Sequence, residues 1–437
     1  MPNIFNTSRH FLPSIIPGQF VVTMKEDIPN LNDILERILP PLRNNSGLEE
    51  VIRFDGLFKG FTFRARRKKA QPLLLQALLA LPFIKAIEPD QLFYPELASV
   101  NSIGGKWEVP TGIFRMQSAQ YNRNANELAW VQPNVTNKEV VVAVLDTGID
   151  AGHPDLVNNV VGGLSFVGED PLEDLNGHGT HVAGTISANN NGFGTSGAYP
   201  GTKVFALQVF NKLGTGSTSS IVSAINWLAS NGRASKIRVA NMSLGGPSSV
   251  AVCNAVYWAI KAGITFVVAA GNQGRSMLGS SPANCADTLA VTSVSDYDGL
   301  PGGFGTPVNE TDLDDTYTDF SNWGSTATAA RTIAGPGRLI LSTWSRKACG
   351  TYGMQCVSWG PWAFLSGTSM AAPHVASVVA RCYRAGVCNS NNGTELARIM
   401  ALTRDFNLAN PGYGFLGDPS RPVPGKYFGY MVWGNRW

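Results

Sequence analysis

Hydrophobic positions in the first hundred residues follow short strand-like and helix-like patterns in alternation. The predicted elements are Gln19–Met24, Leu31–Leu39, a strand pair within Phe54–Arg64, Gln71–Leu81 and Ile84–Tyr94. Their order is strand, helix, strand, strand, helix, strand, which is typical of a ferredoxin-like α+β arrangement. We therefore expect a small domain of this type at residues 17–95.

A different pattern begins at Trp107, where continuous apolar and β-branched runs predict strands that are buried on both faces. The predicted strands are Val140–Leu145, Val204–Phe210, Ile237–Ser243, Ile264–Ala269 and Thr288–Val294. The predicted helices are His178–Ala188, Ser219–Ala229 and Val250–Ala262. This alternation predicts an α/β fold with a doubly wound, mostly parallel sheet and helices on both faces.

Segments without a hydrophobic period set the remaining boundaries. Residues 1–16 are predicted to be a disordered leader, and residues 96–106, which are low in charge, a linker. We expect the large domain at residues 107–404, followed by a C-terminal extension packed on it at residues 405–437.

Composition excludes some classes of partner. The 437 residues are 44% apolar and 15% charged, and the net charge is +3. A charge of this size does not indicate nucleic acid or an anionic membrane surface as a partner. No run is long and apolar enough to cross a bilayer. We expect a compact protein without nucleic-acid or membrane partners.

The six cysteines all lie in the C-terminal half, and none has a metal-binding spacing. The expected pairs are Cys349/Cys356, Cys382/Cys388 and, as the remainder, Cys253/Cys285. Disulfides favour an extracellular location or the secretory or vacuolar pathway. The alternative is a cytosolic protein with buried free thiols. Residues Met1–Gly18 contain no apolar segment typical of a signal peptide.

Polar residues with catalytic potential stand at strand ends and helix starts. Asp146 follows the first buried run, His178 opens a helix, and Asn272 ends a later run. Ser369 lies at a helix start, where free backbone N–H groups favour negative charge. These residues fit a serine nucleophile, its base, the orienting acid and an oxyanion donor. His181 could add a metal ligand, but no third ligand accompanies it.

Five motifs make the chain similar to the subtilisin-like serine proteases, over roughly residues 107–404. They are Asp-Thr-Gly at Asp146, His-Gly-Thr-His-Val-Ala-Gly at His178, Ser-Leu-Gly-Gly at Ser243, Ala-Ala-Gly-Asn ending at Asn272, and Gly-Thr-Ser-Met-Ala-Ala-Pro-His-Val-Ala around Ser369. The resemblance implies a serine endopeptidase with Asp146, His178 and Ser369 as its triad and Asn272 in its oxyanion hole. No catalytic metal or organic cofactor is implied.

The resemblance also implies that residues 17–95 are an inhibitor-type propeptide, so that the enzyme is made as a zymogen. Cleavage is expected within Pro95–Lys106, at a bond that the sequence does not identify. We expect a monomer whose partners are protein or peptide substrates and its own propeptide.

The primary specificity pocket is expected beside a strand to which substrate adds through main-chain hydrogen bonds. The resemblance implies that it is lined by Ser243, Leu244, Gly245, Gly246, Ala270, Gly271 and Ser280. No Asp or Glu accompanies Gly279–Pro282, so the sequence predicts broad specificity with an apolar or aromatic preference. A protease specific for paired basic residues is the alternative.

A structural calcium site is implied by the same resemblance. Its oxygen ligands would come from Asp155, Asn189, Asn191, Phe193 and Thr195. An Asn/Gly-rich turn without an ion is the alternative. A second group of acidic residues is expected to be a solvated loop: Glu310, Asp312, Asp314 and Asp315.

Two other functions use the same residues. A serine esterase or amidase could use the triad, but the chain lacks a Gly-x-Ser-x-Gly elbow around Ser369. A non-catalytic protein kept inactive by an uncleaved N-terminal domain is the third possibility. A serine-reactive probe distinguishes this last function from the first two.

Overall fold

The computed structural model describes residues 15–28, 30–46, 48–66, 71–97, 99–102, 109–122, 127–130, 139–307, 312–348, 362–389 and 394–434. Two predictions therefore fall partly outside the described residues, namely the leader and the linker. The predicted pair Cys349/Cys356 lies wholly outside them. Glu310 also lies outside them.

The N-terminal unit has the predicted order of elements. They are β1 (Ile15–Met24), α1 (Leu31–Ser46), β2 (Leu48–Asp55), β3 (Lys59–Ala65), α2 (Gln71–Leu79) and β4 (Ile84–Pro95). The four strands form an antiparallel sheet in the order β4-β1-β3-β2. Leu35, Phe61 and Leu74 belong to the core between this sheet and the two helices. The strand β1 begins inside the predicted leader because Ile15 pairs with Gln91 of β4.

Short elements follow, namely β5 (Ser99–Ser102), α3 (Thr111–Arg115), β6 (Ala119–Asn122) and β7 (Glu127–Trp130). The strand β5 lies within the predicted linker, so that prediction is wrong for these four residues. Its main chain pairs with a strand at residues 362–366. Such pairing uses backbone groups that every residue carries, and it therefore needs no hydrophobic period.

The large unit contains β8 (Val141–Asp146), β9 (Val160–Ser165), α4 (His178–Ser187), β10 (Lys203–Gln208), β11 (Gly216–Ser217), α5 (Thr218–Asn231), β12 (Ile237–Met242), β13 (Leu244–Pro247), α6 (Val250–Lys261), β14 (Thr265–Ala269), β15 (Ser280–Ser281), β16 (Leu289–Ser295), β17 (Thr316–Tyr317), β18 (Thr332–Pro336), β19 (Ile340–Thr343), β20 (Trp362–Ser366), α7 (Thr368–Arg384), α8 (Thr394–Ala409) and β21 (Tyr430–Met431). Eight strands form a parallel sheet in the order β21-β18-β16-β14-β12-β8-β10-β9. The five strands and three helices predicted for this unit are all present, and the predicted fold class is confirmed.

Both faces of the parallel sheet are covered, as the apolar runs predict. On β8, Val142 and Val144 pack in a core with α4 and α7. The alternate residues Val141, Ala143 and Leu145 pack in a second core with α5 and α6. Because both faces are buried, the carboxyl end of the sheet is where polar side chains can meet a ligand.

The C-terminal segment continues the large unit. The helix α8 runs across the boundary predicted at residue 404, and β21 forms an edge of the parallel sheet. Two predicted disulfides are confirmed, Cys253–Cys285 and Cys382–Cys388. In the part of the chain that the structure describes, none of the helices has the length and apolar character needed to cross a membrane.

Candidate active site

Asp146 and His178 form a buried pair at the carboxyl end of the sheet. Asp146 is the last residue of β8, and His178 is the first residue of α4. Asp146 Oδ1 lies 2.7 Å from His178 Nδ1, and both side chains are fully buried. The Thr147 backbone N–H also donates to Oδ1, at 2.8 Å. The carboxylate holds the Nδ1 side of the ring, so Nε2, which has no hydrogen-bond partner among the described residues, is left for proton transfer.

Asp174, which the sequence analysis missed, binds the backbone next to Asp146 and His178. One carboxylate oxygen accepts the Thr147 hydroxyl at 2.8 Å and the Gly177 N–H at 2.9 Å. The other accepts the Thr180 hydroxyl and backbone N–H. Burial raises the pKa of Asp174, whereas these hydrogen bonds lower it. Its sequence signal was an acidic residue in the turn before His178.

Ser369 is the second residue of α7 and is tied to the start of β13. Its hydroxyl donates to the carbonyl of Ser243 at 2.8 Å, and the Ser243 hydroxyl donates to the carbonyl of Ser369 at 2.7 Å. Asn241 Nδ2 donates to the same Ser243 hydroxyl oxygen at 2.9 Å. The bond from the Ser243 hydroxyl holds the Ser369 backbone, whereas the Ser369 hydroxyl points at the Ser243 carbonyl and makes no hydrogen bond to His178 Nε2.

Asn272 is oriented by the turn that precedes Ser369. Its Oδ1 accepts the backbone N–H and the hydroxyl of Thr368, both at 2.9 Å. Its Nδ2 is buried and has no hydrogen-bond partner among the described residues. The backbone N–H of Ser369 donates to the carbonyl oxygen of Glu96 at 3.3 Å. Ser369 and Asn272 therefore offer two N–H donors in the arrangement that stabilises an oxyanion.

The chain leaving the N-terminal unit runs through the cleft beside these residues. Phe93 pairs with Gly216 of β11, and Tyr94 pairs with Gly245 of β13. The Glu96 N–H donates to the carbonyl of Ser243 at 3.2 Å. Further along, β5 pairs with β20, which lies just before α7. Asp146, His178 and Ser369 are all fully buried in this arrangement.

The residues predicted to line the pocket surround Glu96. Leu244 pairs with Pro95, and Gly245 approaches the Glu96 carboxylate so closely that a Cβ there would lie 2.1 Å from Oε1. Gly271 donates its N–H to the Thr368 hydroxyl at 3.1 Å. Of the other predicted pocket residues, Ser243 accepts the Glu96 N–H, and Gly246 lies against the Phe93 ring. The Ala270 carbonyl accepts a hydrogen bond from Asn322, and the Ser280 hydroxyl accepts one from Arg275.

Polar residues that the sequence analysis missed lie in the same pocket. Gln273 Nε2 donates to both carboxylate oxygens of Glu96, at 3.3 and 3.0 Å. The Asn272 backbone N–H donates to Oε2 at 3.1 Å. Burial raises the pKa of Glu96 to about 7, although these hydrogen bonds and the charges of Arg275 and His178 lower it. The position of Gln273 directly after Asn272 was the available sequence signal.

His181 does not form a metal site with His178. Its Nε2 lies 3.0 Å from the Ile340 carbonyl oxygen and 3.1 Å from the Ala363 carbonyl oxygen. Burial, followed by the charge of His178, lowers the pKa of His181 to about 3. The buried ring of His181 therefore directs Nε2 at two carbonyl oxygens.

The two side chains predicted to ligate calcium, Asp155 and Asn191, come together and accept hydrogen bonds within the loop. Asp155 Oδ2 accepts the Thr195 backbone N–H at 3.1 Å and the Trp362 indole N–H at 2.8 Å. Asp155 Oδ1 accepts Asn191 Nδ2 at 3.0 Å, and Asn191 Oδ1 accepts the Phe193 N–H. These N–H donors bind the side-chain oxygens of the predicted site, whereas its other three predicted ligands are backbone carbonyl oxygens.

Asn189, whose backbone carbonyl is a predicted ligand, turns its side-chain Oδ1 to Asn159 Nδ2 at 2.9 Å. Its Nδ2 donates to the Val157 carbonyl at 3.4 Å. The side-chain oxygen of Asn189 is therefore bound to a neighbouring amide. This contact agrees with the alternative of a turn that is held by its own hydrogen bonds.

The acidic segment expected to be solvated is buried, so that expectation is wrong. Asp312, Asp314 and Asp315 are at most 5% exposed. Asp312 forms an ion pair with Arg338, and Asp315 forms one with Arg115 at 2.6 Å. Buried carboxylates need such partners, and the distant arginines could not be identified from the local sequence.

Comparisons with known proteins agree with this geometry. The family model described as "Subtilase family" matches residues 137–400. The chain is 37% identical to M-protease of Shouchella clausii (strain KSM-K16) over 335 residues, which are 76% of this chain and 72% of that protein. It is 40% identical to Subtilisin Savinase of Lederbergia lenta over 275 residues, which are 62% of this chain and 83% of that protein.

A solved structure is similar as well. It is a cold adapted subtilisin-like serine proteinase, with a TM-score of 0.53 and 26% sequence identity. The match covers 74% of this chain and 97% of that one.

Proposed function

The chain belongs to the subtilase family of serine endopeptidases, and from this premise we propose that Ser369, His178 and Asp146 hydrolyse peptide bonds in a protein made as a zymogen. The observation that carries this proposal is the Glu96 carbonyl, which accepts the N–H of Ser369. A substrate carbonyl bound in this way lies beside the nucleophile.

The reaction uses each of the buried groups in turn. The Ser369 hydroxyl attacks the carbonyl carbon, and His178 Nε2 takes the hydroxyl proton and returns it to the leaving amine. Asp146, 2.7 Å from Nδ1, keeps the ring in the tautomer with Nε2 free and stabilises the imidazolium. Asn272 Nδ2 and the Ser369 N–H donate to the developing oxyanion. Water then hydrolyses the acyl-enzyme.

The zymogen proposal is supported by how the N-terminal unit contacts the large unit. Glu88 accepts the backbone N–H groups of Val250 and Ala251 at the start of α6. Asp90 accepts the Ser219 N–H at 3.1 Å at the start of α5. Carboxylates at helix N-termini are stabilised by free N–H groups and by the helix dipole. These two contacts hold β4 in the cleft, where it blocks access to Ser369.

The proposed setting follows from the disulfides Cys253–Cys285 and Cys382–Cys388. Disulfides persist in oxidising compartments, so we place the mature enzyme outside the cell or in the secretory or vacuolar pathway, as a monomer acting on proteins. The contacts around Asp155 give no support to a calcium ion at that site, and the proposed reaction uses none.

A fluorophosphonate probe tests the proposal, because it reacts only with an activated serine. Refolded wild-type protein from which the N-terminal unit has been cleaved is expected to be labelled, and Ser369→Ala is not. Ser377→Ala is the matched control, since Ser377 lies on the same helix and donates to the His374 carbonyl. Absence of labelling in the cleaved wild type would show that the protein is not a serine hydrolase.

A further inference from the structure

The Glu96 side chain is held by the pocket in a way that the rest of the N-terminal unit does not require. The main-chain bonds of Glu96 to Ser243 and Ser369 can be made by any residue. Its carboxylate adds three hydrogen bonds, from the Asn272 N–H and from Gln273 Nε2. Glu96 as a whole is only 8% exposed. These bonds are specific for an acceptor side chain.

Asn322 fixes which end of the Gln273 amide faces the pocket. Asn322 Nδ2 donates to Gln273 Oε1 at 2.8 Å, so the Nε2 end of Gln273 is turned to Glu96. Asn322 Oδ1 accepts the backbone N–H groups of Gln273 and Arg275, at 3.1 and 3.0 Å. The side chain of Asn322 is fully buried and therefore has one orientation set by these bonds. The pocket thus presents donors to the substrate side chain.

We propose that Glu96 is the residue before the scissile bond, so that the zymogen is cut between Glu96 and Leu97 and the mature enzyme prefers glutamate at that position. The specificity-determining residue is Gln273, and Asn322 is its positioning residue. This inference rests on the proposed serine protease function. It replaces the expected apolar preference, because an apolar side chain accepts none of the three hydrogen bonds that the Glu96 carboxylate accepts from Asn272 and Gln273.

The first cleavage needs no reactant other than the chain itself and water. The Ser369 Oγ–H bond breaks and Oγ bonds to the carbonyl carbon of Glu96. The proton passes through His178 Nε2 to the nitrogen of Leu97 as the Glu96–Leu97 bond breaks. Water then attacks the ester, leaving a carboxylate at Glu96 and returning a proton to Ser369.

The charge around the pocket favours an acidic substrate side chain over a basic one. The charge of Arg275 acts on the Glu96 carboxylate and favours its ionised form. The guanidinium of Arg275 also donates to the Ser280 hydroxyl at 3.3 Å, which places Arg275 against a pocket residue. A lysine or arginine substrate side chain would meet this charge and the N–H donors, so it is disfavoured.

The inference is tested with peptides that differ only in the residue before the cleaved bond. The wild-type enzyme is expected to cleave the glutamate peptide about tenfold or more faster in kcat/KM than the phenylalanine peptide, since a phenyl ring accepts none of the three hydrogen bonds that the pocket donates to Glu96. Gln273→Met should remove this preference, and Gln273→Glu should reverse it in favour of lysine.

The zymogen gives a second readout. Full-length Glu96→Lys should be processed about tenfold or more slowly than wild type, and adding Gln273→Glu should restore the rate. Glu36→Lys makes the same charge change on an exposed position of α1 and should have no effect. Wild-type processing of Glu96→Lys at the same bond, or a glutamate preference that survives Gln273→Glu, would overturn the inference.

The two proposals fail in distinguishable ways. Absence of probe labelling at Ser369 overturns the serine protease mechanism itself. Labelling together with a preference for phenylalanine over glutamate overturns only the assignment of the pocket.

Discussion

Two sets of polar side chains in the active site are assembled over very different distances along the chain. The catalytic set, Asp146, Asp174 and His178, is joined by hydrogen bonds within a single stretch of about thirty-five residues. The pocket set joins Glu96 to Gln273, 177 residues away, and Gln273 to Asn322, 49 residues further on. A local motif can specify the first set but not the second.

The difference teaches how chemistry and selectivity are separated in this molecule. The catalytic groups act on the main-chain carbonyl that every substrate carries. The pocket groups contact only the side chain. Substitutions in the first set should therefore affect all substrates equally, and substitutions in the second should change the ratio between substrates.

The largest expected effect breaks the catalytic set. Asp146→Asn would present an amide to His178 Nδ1 and favour the wrong tautomer, so kcat should fall by about 10⁴-fold for every peptide. Stopped-assay kinetics with the glutamate and phenylalanine peptides measure this. Asp418→Asn, also a buried carboxylate, is the control and should leave kcat unchanged. A fall confined to one peptide would contradict the separation.

Asn272→Leu should have the next largest effect, because it removes one oxyanion donor but keeps the backbone N–H that contacts Glu96. We expect kcat to fall by roughly 10²- to 10³-fold, with KM little changed and the glutamate-to-phenylalanine ratio kept. Steady-state kinetics separate the two parameters. A main effect on KM would argue that Asn272 binds the ground state instead.

The pocket should also show a pH dependence of its own. The pKa of Glu96 is raised from 4.5 to about 7 by burial, so the bound carboxyl holds its proton more tightly than the free one. Binding of the glutamate side chain is then strongest below pH 4.5, the pKa of the free carboxyl, and it weakens as the pH rises from 4.5 to about 7. The kcat/KM ratio of a glutamate peptide to a glutamine peptide should fall by up to about a hundredfold over this window, and it should be flat above it.

Both peptides are cleaved by the same catalytic residues, so the effect of pH on those residues cancels from this ratio. The charges that act on the Glu96 carboxylate are those of Arg275 and His178, and both lower its pKa. A ratio that rises between these pH values would show that the pocket stabilises the carboxylate more than burial destabilises it.

The smallest expected effect sharpens the role of Asn322. Asn322→Asp keeps an acceptor for the Gln273 and Arg275 backbone N–H groups but replaces the Nδ2 donor by an oxygen. The Gln273 amide should then turn its Nε2 to the aspartate and its Oε1 to the substrate. The preference should shift from glutamate to glutamine by about threefold to tenfold, which competition between the two peptides measures.

The contrast also explains what could be predicted from sequence. Asp146, His178, Asn272 and Ser369 could be identified because each stands at the end of a strand or the start of a helix within a local motif. The strands buried on both faces were found for a similar reason, since their apolar runs are continuous.

The pocket could not be predicted from its own residues. Gly245 and Ser280 suggested only an open, uncharged space, and the side chain that fills it comes from Glu96 in a segment that resembled a linker. The same limit applies to Asp155. Its indole partner, Trp362, is 207 residues away, and without that contact the loop resembled a calcium site.

The most direct test of the account is the mass of the first fragment released when the full-length chain is refolded in ¹⁸O-labelled water. We predict that the earliest fragment ends at Glu96 with one ¹⁸O in its new carboxyl group, and that the partner chain begins at Leu97. This result requires water to have hydrolysed the Glu96–Leu97 bond, and Ser369→Ala, which should leave the two residues joined, assigns the attack to Ser369. An earliest cut at any other bond, with Glu96 and Leu97 still joined, would contradict the account.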